Sequence, residues 1–371
     1  MILLIDIKLI LNRYIMNVEQ LQTNTLSALR FPLIIGVVFI HSRFTNIITQ
    51  DGIISIARDA FPLYTLLSFL ISNVFSRISV PLFFAISGYF FFYKVNLFNA
   101  YVYINKLKRR LKSLFIPYII WNFIVILILF VAESFIPGMM SGFKKSITEW
   151  NISDWFYNLY IVPISYQLWF IRDLILLCIF SPIIYVCIKY GKLPFVLMLS
   201  ILWIFDFGPK IPGFSIVGMF SFSVGAYFSI NKINFVIKLS KITSMLGIVY
   251  VILSIIEVSI TNQIWSLYYH NLNMIIGISF LIALFAKLQI EGYKVESTVL
   301  TRSSFFIFAY HVMPLVLILK ICFKIIPSYN EFSLICIYLF STIFIVVVGI
   351  GFGTVLEKYF PSFYKIISGG R

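Results

Sequence analysis

The 371-residue chain carries a formal net charge of +15, yet it is 61% hydrophobic and only 12% charged, whereas a soluble domain typically has about 25% charged residues. This composition excludes a water-soluble globule. Apolar stretches that reach the roughly 20 residues needed to cross a bilayer recur from end to end. The positive charges lie in short loops between these stretches, as the positive-inside rule predicts, so they do not indicate a nucleic-acid partner.

The cysteines and histidines form no ligand pattern. The four cysteines lie within apolar runs without a C-x-x-C pair, which predicts buried thiols rather than a disulfide framework or a zinc site. The three histidines, His41, His270 and His311, are not part of an H-E-x-x-H sequence. We therefore expect no metal and no tightly bound cofactor.

The first fifteen residues are set apart from the rest of the chain. They are apolar but too short to span a bilayer, and no small-residue cleavage site of a signal peptide follows them. Since Met16 offers an alternative start, residues 1–15 are either a gene-model extension or a segment lying on the membrane surface. We divide the chain into an N-terminal segment, 1–26, a membrane domain, 27–357, and a cytoplasmic tail, 358–371.

The hydrophobic pattern predicts an all-α fold, a polytopic membrane bundle of about ten transmembrane helices. Segment 61–76 is apolar but ends at Arg77, shortly before Pro81, which indicates an interfacial or re-entrant helix. The Lys and Arg residues fall mostly in the inner loops when both termini are cytoplasmic, and we place the protein in a bacterial inner membrane. The predicted spans are 28–48, 78–94, 113–137, 166–189, 194–209, 213–230, 242–261, 271–289, 300–326 and 332–357.

Two ionisable residues stand out in the first span. Arg30 and His41 are eleven positions apart, about 1100° of helical rotation, so they share a face to within roughly 20°. The rise between them is about 16.5 Å, which places Arg30 at the cytoplasmic rim and His41 near the midplane. An ionisable group at that depth indicates a functional site, although a neutral histidine that bonds two helices together is an equal alternative.

Four further sequence blocks follow this pair in order. They are residues 80–89 (VPLFFAISGY), 108–118 (KRRLKSLFIPY), 167–174 (QLWFIRDL) and 304–311 (SFFIFAYH). Together with Arg-x10-His in the first span, they resemble the signature of the type 3 acyltransferase family, integral membrane enzymes that O-acylate cell-surface glycans and other acceptors. The resemblance covers about residues 25 to 355.

The chain departs from the family pattern at two positions. Ser27 stands where many members have an acidic residue. Lys112 takes the second place of the family's Arg-x-x-Arg element, where it keeps the charge but loses bidentate phosphate geometry. The extracytoplasmic hydrolase-like domain of some members is not seen, so we expect the membrane domain to complete the reaction itself or with a separate partner.

The resemblance implies an O-acyltransferase, most simply an O-acetyltransferase, that moves an acyl group from acyl-CoA to a hydroxyl of a surface polysaccharide or lipid-linked saccharide. It implies that His41 is the general base. Arg30 either orients the donor and stabilises charge or is an ordinary cation at the membrane rim. The basic loop suits the phosphates of CoA through Arg109, Arg110 and Lys112, although basic cytoplasmic loops are general in membrane proteins.

Five more residues are assigned to an acceptor cavity. Arg172 and Asp173 either line that cavity or neutralise each other within the bundle. Trp169 is either a sugar-stacking platform or an interfacial anchor. His311 either shapes the cavity or bonds neighbouring helices, and Ser87 of the second block completes the set.

The alternative function is that of a multi-span transporter or flippase for a lipid-linked sugar or a related anionic substrate. Such a protein would also hold buried charges within many spans. For the enzyme, the expected partners are acyl-CoA, a saccharide acceptor and membrane lipids. Consumption of acetyl-CoA in the presence of an acceptor separates the two functions.

Overall fold

The computed structural model describes residues 18–49, 52–56, 59–135, 145–209, 211–295, 298–326 and 328–370. The predicted extension at residues 1–15 lies outside them. The described chain is helical, as predicted, apart from two short strands that the all-α prediction did not include. Strands β1, Asn46–Thr49, and β2, Gly52–Ser55, pair antiparallel.

The helices follow one another with few long connections. In chain order they are α1 (Val18–Ala28), α2 (Arg30–Ser42), α3 (Pro62–Phe69), α4 (Ser79–Phe92), α5 (Ala100–Arg110), α6 (Ile116–Phe135), α7 (Ile152–Phe156), α8 (Trp169–Ile179), α9 (Ser181–Ile204), α10 (Ile216–Ile230), α11 (Val236–Ser240), α12 (Thr243–Ser259), α13 (Ser266–Ile290), α14 (Thr298–Tyr310), α15 (Val312–Ile325), α16 (Glu331–Tyr359) and α17 (Pro361–Ile367). Short π-helical segments occupy Leu70–Phe75, Leu111–Phe115 and Tyr157–Ile161, and 3-10 turns occupy Ile147–Glu149 and Tyr166–Leu168.

Long apolar helices confirm a polytopic helical membrane protein. Within the described residues, six helical stretches are long and apolar enough to cross a membrane, and the number rises to eight if each of two bent pairs is one span. The six stretches are Val18–Ser42, Pro62–Phe92, Ala100–Glu133, Ser181–Ile204, Ser266–Ile290 and Glu331–Tyr359. The bent pairs are Ile152–Ile161 with Tyr166–Ile179, at 63°, and Thr298–Tyr310 with Val312–Ile325, at 71°.

The segment before the second predicted span is part of that span. The structure joins it to α4 in one helical stretch, Pro62–Phe92, of 31 residues, so the prediction of a separate interfacial or re-entrant helix over 61–76 is wrong. Backbone hydrogen bonds from Ser76 to Ile71 and from Ser79 to Ser76 continue the helix past the basic residue that interrupts the apolar pattern. Its rise of about 46 Å exceeds the roughly 30 Å hydrocarbon core.

Two other predicted spans differ in shape. The predicted span 300–326 is broken at His311, where α14 ends and α15 begins. Conversely, α9 runs through the predicted loop between residues 189 and 194, but Lys192 within it has non-helical backbone angles, φ 44° and ψ −135°. This break coincides with the predicted loop.

Small residues allow α4 and α10 to cross in close contact. A Cβ atom on Gly88 would overlap the carbonyl oxygen of Phe222, and one on Gly225 would overlap that of Ala85. Gly88 follows Ser87 in the second sequence block, so close helix packing accounts for the glycine of that motif.

The C-terminal tail packs against the bundle. The Trp121 Nε1 atom of α6 donates to the carbonyl oxygen of Ile367, 3.0 Å away, and Tyr364 is 2% exposed. Gly369 has φ +73°, and a Cβ atom there would overlap the Ser113 carbonyl oxygen. The tail therefore lies at the same end of the bundle as the basic residues around Lys112.

Candidate active site

His41 lies in the last turn of α2, whose position is set by polar contacts to its neighbours. The Thr342 hydroxyl of α16 donates to the Ser42 hydroxyl at 2.7 Å. On another side, the Ser72 hydroxyl donates to the carbonyl oxygen of Phe39 at 2.6 Å. Because these bonds hold the helix without the imidazole, the partly exposed His41 ring is available for chemistry.

Two ring side chains from distant parts of the sequence surround His41. The Tyr166 hydroxyl is hydrogen-bonded to His41 Nδ1, and the two rings are nearly perpendicular, with centroids 5.1 Å apart. The His311 ring centroid lies 5.2 Å from that of His41. The structure therefore brings two of the residues singled out from the sequence, His41 and His311, into one site.

His311 presents a buried nitrogen without a partner. Its Nδ1 atom lies 2.8 Å from the Phe308 carbonyl oxygen and 3.1 Å from that of Ile307. Since carbonyl oxygens only accept, Nδ1 bears the proton and Nε2 of the neutral ring is an acceptor. Among the described residues, that Nε2 atom has no hydrogen-bond partner, and the side chain is fully buried.

Both bent helix pairs break at this site. Tyr166 opens the 3-10 turn at the break of one pair, and His311 lies at the break of the other. The Gln167 amide ties the two breaks together by donating to the Ala309 carbonyl oxygen at 2.8 Å. Irregular backbone inside a membrane is tolerated where it is buried in protein or lines a polar cavity, and it often marks a substrate site.

A cavity of about 880 Å³ is lined by Arg43, two residues after His41. Its lining includes Arg77 and Trp169, the residue that follows the 3-10 turn of Tyr166. The charge of Arg77 interacts electrostatically with both His41 and Tyr166. His41, Tyr166 and His311 are not part of the cavity lining, which comes next to them along the chain at Arg43 and Trp169.

Arg77 is a charged residue without a counter-ion in the described structure. It lies at the junction between the π-helical segment and α4, midway along the stretch Pro62–Phe92. It makes no hydrogen bond or ion pair with any residue that the structure describes. A charge within a membrane span is costly unless it faces a cavity or a substrate, which makes Arg77 a candidate functional residue.

Arg30 lies at the opposite end of α2 from His41. Its guanidinium lies over the Phe90 ring, 5.0 Å from the centroid. Lys106 and Arg110 lie over the neighbouring Phe91 ring, at 5.5 and 5.8 Å. The helical rise of about 16.5 Å separates this cationic cluster from the imidazole, so Arg30 does not touch the histidine site.

The predicted basic loop is helical rather than irregular. Asn99 caps α5 by accepting a hydrogen bond from the Val102 amide at 3.0 Å. Arg110 ends α5, and Lys112 lies in the π-helical segment Leu111–Phe115 that follows. Arg109 and Lys112 are exposed, so both can reach a soluble anionic ligand.

Arg172, Asp173 and Ser87, which the sequence assigns to an acceptor cavity, do not line the 880 Å³ cavity. Arg172 Nε and Nη2 bond to Asp173 Oδ1 at 2.9 and 2.7 Å, and Nη1 donates to the Ile161 carbonyl oxygen. This pair is neutralised within the bundle and holds the adjacent helix break in place.

Sequence reasoning missed two members of the site. In the sequence, Arg77 marked only the end of an apolar segment. Its position within a span was not predicted, because the helical segments before and after it form one continuous stretch. Tyr166 is one of 22 tyrosines and lies outside every sequence block quoted above. Within the described residues, no three His, Cys, Asp or Glu side chains gather as metal ligands.

Comparisons with known proteins agree with the geometry. The family described as an acyltransferase domain matches residues 24–352. Succinoglycan biosynthesis protein ExoH of Rhizobium meliloti (strain 1021) is 25% identical over 218 residues, which cover 56% of this chain and 54% of the relative. The match thus spans about half the length of that curated relative. No solved structure matches the chain significantly.

Proposed function

Because the chain belongs to the type 3 acyltransferase family, we propose that it transfers an acyl group, most simply acetyl, from acyl-CoA to a saccharide hydroxyl, with His41 as the general base. Its relative is named for succinoglycan biosynthesis, which supports a polysaccharide or a lipid-linked precursor as the acceptor. The observation that carries the proposal is the hydrogen-bonded pair of Tyr166 and His41 beside His311, with a cavity of about 880 Å³ lined by Arg77.

The reaction assigns one proton transfer to His41. With Nδ1–H donating to the Tyr166 oxygen, Nε2 is free to take the proton of the acceptor hydroxyl. The hydroxyl oxygen attacks the thioester carbonyl, and a tetrahedral oxyanion forms. When the intermediate collapses, the carbon–sulfur bond breaks, and the CoA sulfur leaves with the proton from the imidazolium. The products are the ester and free CoA.

The Tyr166 hydroxyl orients the base in this scheme, so Tyr166→Phe is expected to lower kcat by roughly tenfold to a hundredfold, the equivalent of a lost hydrogen bond to a group that becomes charged. The donor KM should not change, because the hydroxyl does not touch CoA. Initial rates of CoA release at saturating acceptor measure the effect. A kcat equal to that of the unaltered protein would remove Tyr166 from the mechanism.

Arg77 supplies positive charge where the oxyanion develops. Its charge already acts on His41 and Tyr166, and it lines the 880 Å³ cavity. A fixed cation in a site that excludes bulk water stabilises a developing negative charge much more than it would in water. Arg77, rather than the distant Arg30, is therefore proposed as the oxyanion-stabilising residue.

The donor is proposed to bind with its phosphates at the other end of α2. Arg30, Lys106 and Arg110 gather there over Phe90 and Phe91. From this cluster the thioester must reach about 16.5 Å along α2 to meet His41, a task suited to the long pantetheine arm of CoA. In this arrangement Arg30 positions the donor and takes no part in the chemical step.

Arg109 and Lys112 are exposed on either side of Arg110, and we propose that they also contact the phosphates of the donor. Replacing either residue by glutamine is expected to raise the acyl-CoA KM by roughly tenfold to a hundredfold, because a charge-assisted phosphate contact is lost. The effect should shrink as salt rises, and the acceptor KM should not change. Lys112→Arg, which restores a bidentate donor, should keep or improve donor use.

Donor kinetics must be measured on correctly inserted protein only. If the two residues serve only to orient the chain in the membrane, the variants would insert poorly while the inserted fraction keeps normal kinetics. Unchanged donor KM in that fraction would contradict the phosphate site.

A direct assay separates the enzyme from the transporter. Purified protein in lipid vesicles is supplied with acetyl-CoA and a set of neutral oligosaccharides. The proposed enzyme releases CoA in proportion to O-acetylated saccharide, whereas a transporter moves saccharide across the bilayer without releasing CoA. Saccharide movement without any CoA release would overturn the proposal.

Ten spans with both termini in the cytoplasm of a bacterium are proposed for the chain. The six long stretches, the two bent pairs and two shorter apolar helices, Ile216–Ile230 and Thr243–Ser259, together make ten. Trp169, at the start of α8, and Trp203, near the end of α9, both line the cavity. Between them, the Ile179 carbonyl oxygen at the end of α8 accepts a hydrogen bond from the Tyr103 hydroxyl of the basic helix α5. This arrangement supports α8 and α9 as parts of two separate membrane spans that run in opposite directions.

A further inference from the structure

The cavity that Arg77 lines also has polar residues that the proposed chemistry does not use. Glu257 of α12 and His270 of α13 are bonded through Oε1 and Nδ1, 2.6 Å apart. Asn273 donates to the other carboxylate oxygen of Glu257 at 2.7 Å and to the Ser254 hydroxyl at 3.3 Å. Two helices thus hold one nearly buried carboxylate in a fixed position.

Helix packing alone does not account for this network. Asn273 would be sufficient to bond α13 to α12, whereas Glu257 and His270 both line the cavity. The His270 side chain is 21% exposed. Since its Nδ1 is bonded to the carboxylate, Nε2 is the nitrogen left for a ligand. The Glu257 carboxylate can accept a hydrogen bond from a ligand hydroxyl, and His270 Nε2 can bond to a neighbouring hydroxyl of the same ligand.

The same cavity provides aromatic surface. Trp169 and Trp203 both line it, and Trp203 is nearly buried and stacked on Phe220 at a centroid distance of 5.0 Å. Indole rings present flat apolar faces to the C–H faces of sugar rings. A pocket that combines a few fixed polar groups with aromatic walls is suited to orienting a polyhydroxylated ligand.

The charges of the lining indicate that this ligand is uncharged. Its lining includes two arginines, Arg43 and Arg77, and two acidic residues, Asp59 and Glu257, so these formal charges balance. The nearly buried carboxylate of Glu257 would repel an acidic sugar placed against it, and weak solvent screening makes this repulsion effective. The phosphates of CoA find their cations at the other end of the bundle.

We propose that Glu257 and His270 form a binding subsite for hydroxyls of an uncharged saccharide, which hold the acceptor while another of its hydroxyls meets His41. This inference rests on the proposed function and names the acceptor class of that site. The cavity volume of about 880 Å³ lies towards the upper end of the range of about 300–1,000 Å³ for small-molecule pockets, so it has room for more than the reacting sugar.

The test uses the full-length protein, acetyl-CoA and two probes, a neutral glucose trisaccharide and the same trisaccharide ending in glucuronic acid. Glu257→Gln and His270→Gln are each expected to raise the KM for the neutral probe by roughly tenfold to a hundredfold, because the first removes the carboxylate acceptor and the second removes the ring nitrogen that faces the saccharide. The donor KM should not change. Glu257→Gln should also reduce the ratio of kcat/KM for the neutral probe to kcat/KM for the acidic probe, because the carboxylate that repels the acidic sugar is removed.

Glu291→Gln is the matched control. Glu291 is an exposed residue that directly follows α13, the helix of His270, and its Oε1 atom lies 3.9 Å from Lys287 Nζ. The substitution removes the same charge away from the cavity, so the acceptor KM should stay within about twofold of that of the unaltered protein. A purely structural network would lower the yield of folded Glu257→Gln protein and leave its acceptor KM unchanged, which would overturn the inference. No transfer to either probe by the unaltered protein would instead contradict the proposed function.

Discussion

Replacing His41 by alanine is expected to abolish acyl transfer, with a loss of about 10²–10⁴-fold in kcat, because general-base catalysis contributes an effect of that size. Membrane insertion and yield should persist. The helix that bears His41 is held by Thr342 and Ser72 through bonds that do not involve the imidazole, and alanine costs less than histidine within a bilayer. Acetyl content of the saccharide product and CoA release measure the loss.

Two further variants make the result specific. His41→Gln keeps a polar side chain of similar size but cannot take up a proton, so it should be as inactive as His41→Ala. His311→Gln should retain part of the activity, because the Nε2 atom of His311 lies beside the base and does not replace it in the scheme. O-acetylation near the normal level in either His41 variant would rule out His41 as the base.

The sequence predicted that Arg30 and His41 share one face of a helix because this prediction depends on that helix alone. The eleven-residue spacing of Arg30 and His41 requires only an unbroken helix, and α2 is unbroken over that length. The same spacing shows why the two residues cannot share one task, since they lie about 16.5 Å apart. Local periodicity thus predicted the pair, while the division of roles between them required the positions of Phe90 and Tyr166.

The sequence assigned His311 to a cavity, but the contacts that tertiary packing makes around His41 were not predictable. Tyr166 meets His41 only because a helix pair bends by 63° beside it, and His311 does so because another bends by 71°. Hydropathy predicted one unbroken span over 300–326 and left residues 152–161 outside any span, so it predicted neither bend. Glu257 lay in a predicted span and His270 in the predicted loop that follows it, and nothing in their spacing indicates a bond between their side chains. Such contacts depend on how helices far apart in sequence pack together.

Arg77→Gln is expected to lower kcat by about 10²–10³-fold, the usual effect of removing one oxyanion-stabilising donor. Arg77 has no counter-ion among the described residues, so its removal leaves no unpaired acidic partner there and should not unfold the protein. Arg77→Lys should recover part of the rate, because the charge is kept while the planar geometry is lost. Arg302→Gln is the matched control, since Arg302 is an exposed arginine paired with Glu357 at 3.2 Å.

The kinetic pattern of Arg77→Gln identifies which role the guanidinium performs. An interaction made only in the transition state lowers kcat and kcat/KM equally and leaves both substrate KM values unchanged. A guanidinium that instead holds an anionic group of the acceptor would raise the acceptor KM at unchanged kcat. That second pattern would contradict the oxyanion role and would also oppose an uncharged acceptor at Glu257. If Arg77→Gln is as active as the control Arg302→Gln, Arg77 has no role in the reaction.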